Sequence, residues 1–312
     1  MNEPDSEHSF TRRSLLGTGA SLGIGAALAS CSDGSSAGAA PPAPPIDPIA
    51  AGLPYRQSDP RWRDDLMWDR DLVLRAATEL DGVPEADAAA LIREYDDGNN
   101  ISNEGCQLTC IAMVMRLFDP QADPAWTPGT LNRAAHEGFE YTLSGLSLAT
   151  LYPDLAADMT EGRVQLLAKE EYPAGVRPWP HMHVSDSPLA RAYLSLSPSE
   201  RSGVLVILKT GTYDDTVASH YVLLDPGSTQ SSGVNDALVL DPAMPLDEDG
   251  QWRLSDSARV ITEDPDIKAQ WEQAGITPTR IAGVWAFARW DAAAASPLVG
   301  RFISAWASEL AR

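Results

Sequence analysis

A change of pattern near residue 200 constrains the fold more than any other feature of this chain. Beyond it, apolar and β-branched residues come in short runs typical of strands, at residues 203–209, 217–225, 236–241 and 282–290. Their spacing leaves little room for the crossover helices that parallel strands require, so the sheet is expected to be mostly antiparallel. Because helical spacing dominates before residue 200, helices come first and strands later, which is an α+β arrangement.

Four helices are predicted in the first half of the chain. Apolar spacing and end signals place them at residues 69–81, 84–95, 106–118 and 127–138. Pro84 suits the first turn of the second helix, and Thr127-Pro128 has the character of an N-cap followed by the first helical residue. Ordered structure is expected from about Leu53. Residues 96–105 are interpreted as a loop, and residues 139–200 as a mixture of helix and loop.

Charge and composition exclude several classes of protein. The 312 residues, 44% of them apolar, are enough for one large domain or two small ones. The formal net charge of −21 excludes binding to nucleic-acid phosphates, because that needs a basic surface. With only three cysteines, the chain is not a disulfide-stapled scaffold. The sequence indicates no cofactor and does not indicate an oligomeric state.

The first 31 residues resemble an export signal. Arg12 and Arg13 lie in a motif similar to the twin-arginine export signal, and a mildly apolar stretch too short to span a membrane follows. Residues 28–31, LASC, are similar to a bacterial lipobox, in which Cys31 receives a diacylglycerol and becomes the mature N-terminus. The resemblance implies a lipoprotein anchored at the cell envelope and facing outward, in the periplasm or on the cell surface. Residues 32–52, rich in Gly, Ser, Ala and Pro, are predicted to be a disordered linker.

Two cysteines lie four residues apart at the start of the third predicted helix, in the stretch NEGCQLTC. At the first residue of a helix, Cys106 would face unpaired backbone N–H groups and the positive end of the helix dipole, which favour a thiolate. Gly105 would allow a tight turn and leave the sulfur uncovered. Cys110, one turn inside, is expected to behave as a small core residue. A disulfide between the two remains an alternative, although side chains along a helix rarely point correctly for one.

A nucleophilic thiol needs a base, and the candidates are His136, His181, His183 and His220. His220 lies in an apolar strand, where an imidazole is costly without a partner, and it could also be a purely structural histidine. Asp225, five residues along the same strand, would be about 16 Å away on the opposite face and cannot orient the imidazole. Asp241 ends the next strand, and antiparallel pairing would bring its carboxylate beside His220.

These residues occur in motifs that resemble the papain-like thiol peptidases. The motifs are Tyr55–Trp62, Glu104-Gly105-Cys106, Thr127–Asn132, Ser219–Val222 and Leu240-Asp241-Pro242. The most similar group is that of the bacteriocin-processing, double-glycine leader peptidases and their stand-alone relatives. The resemblance spans residues 53 to 245. It implies a papain-like fold for residues 53–312, with N-terminal helices, the nucleophile at a helix start, and an antiparallel sheet that carries the histidine and the aspartate.

The resemblance also implies a role for each matching residue. Cys106 attacks the substrate carbonyl, His220 takes and returns the proton, Asp241 orients His220, and Gln57 donates to the oxyanion. A peptide or protein substrate and a membrane-held lipid anchor follow, with no cofactor or metal. The chain departs from the family pattern in a long insert at residues 63–103, in Leu224–Gly227 after the histidine strand, and in a tail at residues 246–312 beyond the family core.

Other interpretations remain open at this level. The same three side chains serve acyltransferases of the transglutaminase type, and a papain-like fold could also be a binding or structural lipoprotein without turnover. His181 and His183 have a metal-ligand spacing, but no cluster of acids or cysteines near them completes a site.

Overall fold

The computed structural model of the chain describes residues 46–48, 51–67, 74, 78–79, 82–93, 100–122, 125–137, 152–171, 187–197, 199–212, 220–226, 238–243, 252–253, 279–290 and 295–311. The export and lipidation residues Arg12, Arg13 and Cys31 lie outside this part of the chain, as do His181 and His183. Most of the helix predicted at residues 69–81 also lies outside it.

The described helices are α1 (Glu85–Arg93), α2 (Ile101–Glu104), α3 (Cys106–Phe118), α4 (Pro128–Glu137), α5 (Tyr152–Met159), α6 (Pro188–Ser195) and α7 (Ala295–Leu310). The predicted helices corresponding to α1, α3 and α4 are confirmed, and the Thr127 hydroxyl accepts from the Thr130 backbone N–H at 3.1 Å as an N-cap should. The prediction of a loop over residues 96–105 is wrong at α2. None of the helices in the described ranges is both long and apolar enough to cross a membrane.

One six-stranded sheet forms the centre of the described structure. Its strands are β1 (Val164–Glu171), β2 (Val204–Thr212), β3 (His220–Leu224), β4 (Leu238–Leu240), β5 (Trp252–Arg253) and β6 (Thr279–Arg289). They lie in the order β1-β6-β2-β3-β4-β5, and every neighbouring pair is antiparallel. The α+β class and the antiparallel sheet are therefore confirmed. The prediction of mixed helix and loop over residues 139–200 is confirmed at α5 and α6 and wrong at β1.

The tail beyond residue 245 contributes a central strand. β6 lies between β1 and β2, with Val164 opposite Arg289 on one side and Val204 opposite Ala288 on the other. Trp285 and Phe287 of this strand are buried. The tail is therefore part of the sheet rather than an appendix to it.

Side chains from the two faces of the sheet enter two separate apolar cores. The core on the side of α3 includes Leu205, Ile207, Leu223, Trp285 and Phe287 from the strands, together with nearly all of α3. The core on the side of α6 and α7 includes Val206, Leu208, Val222, Leu224 and Phe302. The alternation of residues along β2 and β3 is the period of two expected for strands buried on both faces.

A partly buried contact of Glu170 joins α6 and α7 to the end of β1. One carboxylate oxygen accepts from the Trp306 indole N–H at 3.0 Å and from the Leu189 backbone N–H at 2.9 Å. The other accepts from the Ser187 hydroxyl at 2.6 Å, and Ser187 also caps α6. These bonds hold both helices against the same strand.

The last described residues of the predicted linker pack against the folded domain. Ile46 and Ala51 contact the core on the side of α3. The Arg116 guanidinium of α3 donates to the Ala51 carbonyl at 3.2 Å. Contacts with the core therefore begin before Leu53, where the sequence placed the start of the domain.

Candidate active site

The start of α3 depends on a close approach that only glycine permits. Gly105 ends α2 and precedes α3, and a Cβ built on it would lie 2.5 Å from the Ile101 carbonyl oxygen and 2.9 Å from the Ile101 Cα. Its backbone has an ordinary φ of −77°, so contact with Ile101, and not the turn itself, excludes a side chain. The side chain of Asn100 caps α2 by accepting from the Asn103 N–H at 3.0 Å.

Cys106 is the first residue of α3, and its side chain hydrogen-bonds to His220. The prediction that Gly105 leaves the sulfur uncovered is wrong, since Cys106 is only 8% exposed. Both Cys106 and Cys110 are free thiols, so the disulfide alternative is not the state of the described structure.

The imidazole of His220 contacts the carboxylate of Asp241. Its Nε2 lies 2.7 Å from Asp241 Oδ1, and both side chains are buried. Pairing of Leu223 with Leu240 brings the first residue of β3 and the residue after β4 to the same end of the sheet. The same Oδ1 accepts from the Ala243 backbone N–H at 2.8 Å, which fixes the carboxylate from its own chain. With Nε2 facing the acid, Nδ1 is the ring nitrogen left for the thiol.

The surroundings of His220 favour the imidazolium. Burial is the largest single influence and works against the charge. The hydrogen bonds to Asp241 and Cys106 and the negative charge of both groups outweigh burial, and the pKa of His220 rises from 6.5 to about 9. A base hydrogen-bonded to a cysteine on one side and to a carboxylate on the other is the arrangement that activates a thiol for attack.

Cys110 has a different environment. Its side chain is completely buried among apolar residues of the core on the side of α3. Burial, followed by the charges of Cys106 and Asp241, raises the pKa of the Cys110 thiol well above its usual value. The predicted contrast between a thiol near a base and a core thiol matches this geometry.

Gln57 is held next to the same residues by two hydrogen bonds. Its side-chain amide donates from Nε2 to the Ser102 carbonyl oxygen of α2, and its backbone N–H donates to the Pro242 carbonyl oxygen at 2.9 Å. The side chain is buried, and its Oε1 has no hydrogen-bond partner within the described ranges. Since Nε2 carries two N–H groups, one remains beyond the bond to Ser102.

Arg56 is a buried residue of the site that the sequence did not single out. It is 4% exposed, and its Nη1 donates to the Asp241 backbone carbonyl at 3.3 Å. The one available signal was its position immediately before Gln57 in the motif at residues 55–62. No sequence pattern predicts that an arginine will bond a main-chain oxygen of a residue distant in the sequence.

Asp225, considered as an orienting acid, and His136, considered as a base, both lie away from this site. For Asp225 the sequence predicted this separation. Asp225 is buried on the far end of β3, where its charge acts on Tyr193 and Arg201. It does not contact His220, in agreement with the expected separation. The ring of His136 lies 2.8 Å from the Leu66 carbonyl oxygen, which is a structural role at the end of α4.

No group of three metal-ligating side chains occurs among the residues that the structure describes. Comparisons with protein-family models, with curated proteins and with solved structures found no match to this chain. The arrangement of Cys106, His220, Asp241 and Gln57 is therefore the observation on which a functional argument rests.

Proposed function

We propose that this protein is an exported, lipid-anchored thiol hydrolase, a cysteine peptidase that cleaves peptide amide bonds. The observation that carries the proposal is the buried imidazole of His220, which hydrogen-bonds to the Cys106 thiol on one side and lies 2.7 Å from the Asp241 carboxylate on the other. Nucleophile, base and orienting acid in this order are the parts that nucleophilic catalysis needs.

The proposed reaction has two halves. The Cys106 sulfur attacks the substrate carbonyl carbon, and the His220 imidazolium gives its proton to the leaving amine as the C–N bond breaks. Water then attacks the resulting thioester, His220 accepts the water proton, and the thiolate leaves. Asp241 stabilises the imidazolium before the amine is protonated and again after the water proton is accepted, and it keeps the ring in one orientation in between.

Gln57 has the role of oxyanion donor in this proposal. One N–H of its amide is bonded to Ser102 O, which fixes the plane of the amide, and the second N–H donates to the oxyanion. A pre-placed donor of this kind contributes about 3 kcal/mol to the stability of the transition state in comparable enzymes.

The proposed location follows from the N-terminal residues. Arg12 and Arg13 direct export by the twin-arginine route, and Cys31 carries the lipid that holds the protein at the outward face of a membrane. Each acyl methylene buried in the bilayer contributes about 0.8 kcal/mol, so two or three chains give stable attachment. The strongly acidic chain has no attraction of its own for anionic lipid headgroups.

A peptide library with mass-spectrometric detection tests the hydrolase. The parent is expected to release new termini, Cys106→Ala is expected to release none, and Cys110→Ser serves as the matched control that retains cleavage. Cleavage that persists in Cys106→Ala would contradict the proposal.

The acyltransferase alternative shares every residue of the site, so the acceptor decides between the two activities. Repeating the digestion with an added primary amine measures whether the acyl group goes to water or to nitrogen. Products carrying the amine in place of a free carboxylate would favour the transferase. A folded parent that neither cleaves nor reacts with an activity-based thiol probe would favour the binding lipoprotein.

A further inference from the structure

Arg56 is a buried cation next to the end of strand β4. β4 is three residues long, and its last pairing with β3 is Leu240 opposite Leu223. Asp241 therefore follows the last paired residue of β4. Burying a guanidinium is costly unless it is hydrogen-bonded, and Arg56 Nη1 bonds the Asp241 carbonyl oxygen at 3.3 Å.

Two consecutive residues of one segment hold two consecutive residues of the other. Arg56 bonds the carbonyl of Asp241 through its side chain, and Gln57 bonds the carbonyl of Pro242 through its backbone N–H at 2.9 Å. Together the two bonds fix the position and the direction of the main chain at residues 241–242 relative to residues 56–57. That main chain carries the Asp241 carboxylate.

The segment that carries Arg56 is itself anchored in the core. Trp62 donates its indole N–H to the Arg56 carbonyl oxygen at 2.8 Å. The buried rings of Trp62 and Tyr55 pack edge to face with their centroids 5.6 Å apart. Arg56 is thus attached to a rigid base on one side and to Asp241 on the other.

We propose that Arg56 is a positioning residue. It holds the Asp241 carboxylate beside the imidazole of His220 and keeps Gln57 next to these two residues. Its relevance to catalysis rests on the proposed hydrolase function. Its effect on the imidazole and the thiol does not need a substrate. Arg56 acts through the main chain of residue 241.

Full-length Arg56→Met, Arg56→Lys and Arg116→Met proteins test this role. Arg116 is the matched control, because its guanidinium also bonds a main-chain oxygen, that of Ala51, without touching the site. Two readouts are followed across pH: the pKa of His220 by NMR, assigned with His220→Gln, and the rate of Cys106 alkylation by iodoacetamide. The titratable groups acting on His220 are Cys106 and Asp241.

We expect Arg56→Met to lower the pKa of His220 by about one unit and to slow alkylation near neutral pH about tenfold, because a looser Asp241 holds the imidazolium less well. Arg56→Lys, with a single charged donor, should recover part of both effects, and Arg116→Met should leave both unchanged.

The role would be overturned by a folded Arg56→Met protein with parental values in both readouts, or by equal changes in Arg116→Met. Misfolding of both Arg56 variants would assign the residue to the fold and would also overturn it. Neither readout requires peptide cleavage, so a failed hydrolase proposal and a failed positioning role give different results.

Discussion

At the scale of single residues, the two cysteines of α3 differ in their hydrogen-bond partners and surroundings. Cys106 hydrogen-bonds to an imidazole, whereas Cys110 is completely buried among apolar side chains. We expect iodoacetamide near neutral pH to alkylate Cys106 at least tenfold faster than Cys110, because the thiolate is the reactive species. Peptide mapping by mass spectrometry measures the two rates in one sample.

Single-cysteine variants provide the control for that experiment. Cys110→Ser should keep the fast phase and cost about 1–3 kcal/mol of stability through a buried hydroxyl. Cys106→Ala should remove the fast phase. Fast labelling of Cys110 in the Cys106→Ala protein would place the nucleophile one turn further into the helix.

The raised pKa of His220 links stability to pH. Because the folded protein holds the imidazolium proton more tightly than the unfolded chain, this group contributes its full stabilisation below pH 6.5 and loses it as pH rises through about 9. The shift corresponds to at most about 3 kcal/mol. In Asp241→Asn the hydrogen-bonded charge is gone, so the fall of unfolding free energy between pH 6.5 and 9.5 should be smaller.

Urea unfolding of the parent and Asp241→Asn over that pH range measures the difference. Asp119→Asn is a suitable control, because Asp119 pairs with the exposed Arg163 at 2.8 Å, away from His220. Curves of equal slope for the parent and Asp241→Asn would contradict a proton held by this pair.

The residues of the site differ in how far the sequence could predict them. Cys106 was noticed because it begins a predicted helix, and His220 because an imidazole is costly in an apolar strand without a partner. Asp241 was noticed because it ends the next strand. Arg56 and Ser102 act through bonds that involve main-chain carbonyl oxygens, and every residue has such an oxygen. Only coordinates can show which carbonyl is used.

At the scale of elements, the junction of α2 and α3 has no room for even one additional methyl group. Gly105→Ala would put Cβ within 3.0 Å of the Ile101 backbone, so α2 or α3 must shift. We expect a loss of about 1–3 kcal/mol together with slower alkylation of Cys106, because the thiol moves with the helix start. Thermal unfolding and the alkylation rate measure the two effects.

Gly300→Ala is the matched control for that substitution. Gly300 lies inside α7, and an added Cβ there meets no atom within 4 Å. Alanine is the better helix former, so this variant should gain up to about 1 kcal/mol. Similar losses in the two variants would show that the close contact at Gly105 has no particular importance.

β1, α2 and β5 were not predicted because the apolar residues of each show no clear period. β1 reads VQLLAKEE, which is poor in β-branched residues, and a bulge between Leu166 and Ala168 breaks the alternation on which strand prediction depends. α2 has four residues and β5 has two, too few for any period to show. The strands β2 and β3 and the helix α3 have long apolar runs, and these were predicted.

At the scale of the whole molecule, substitutions in the tail strand β6 measure how much the residues beyond 245 contribute to the stability of the fold. Trp285 is 1% exposed and packs edge to face with Tyr221, whereas Trp290, just past the strand, is 44% exposed. Trp285→Ala should cost about 3–5 kcal/mol, and Trp290→Ala about 0.5 kcal/mol or less. Urea midpoints measure both, and comparable losses would argue against a central role for β6.

The proposed lipid anchor at Cys31 can be tested in cells. Cys31→Ala should abolish lipid attachment, so the variant should leave the membrane fraction or remain unprocessed, while Ser32→Ala should fractionate as the parent does. Cell fractionation and mass spectrometry of the N-terminal peptide measure this. Equal membrane association of Cys31→Ala and the parent would exclude the lipobox interpretation.

The central position of β6 has a consequence for biosynthesis. Of the six described strands, the ribosome makes β1 first and β6 last, yet the two are neighbours, and β6 lies between β1 and β2. Until about residue 289 has been made, β1 has no strand to pair with in this sheet, and the first contacts must close a very long loop. We therefore expect the sheet to assemble only after about residue 289 has been translated, with chaperones protecting the unpaired strand edges of the nascent chain until then.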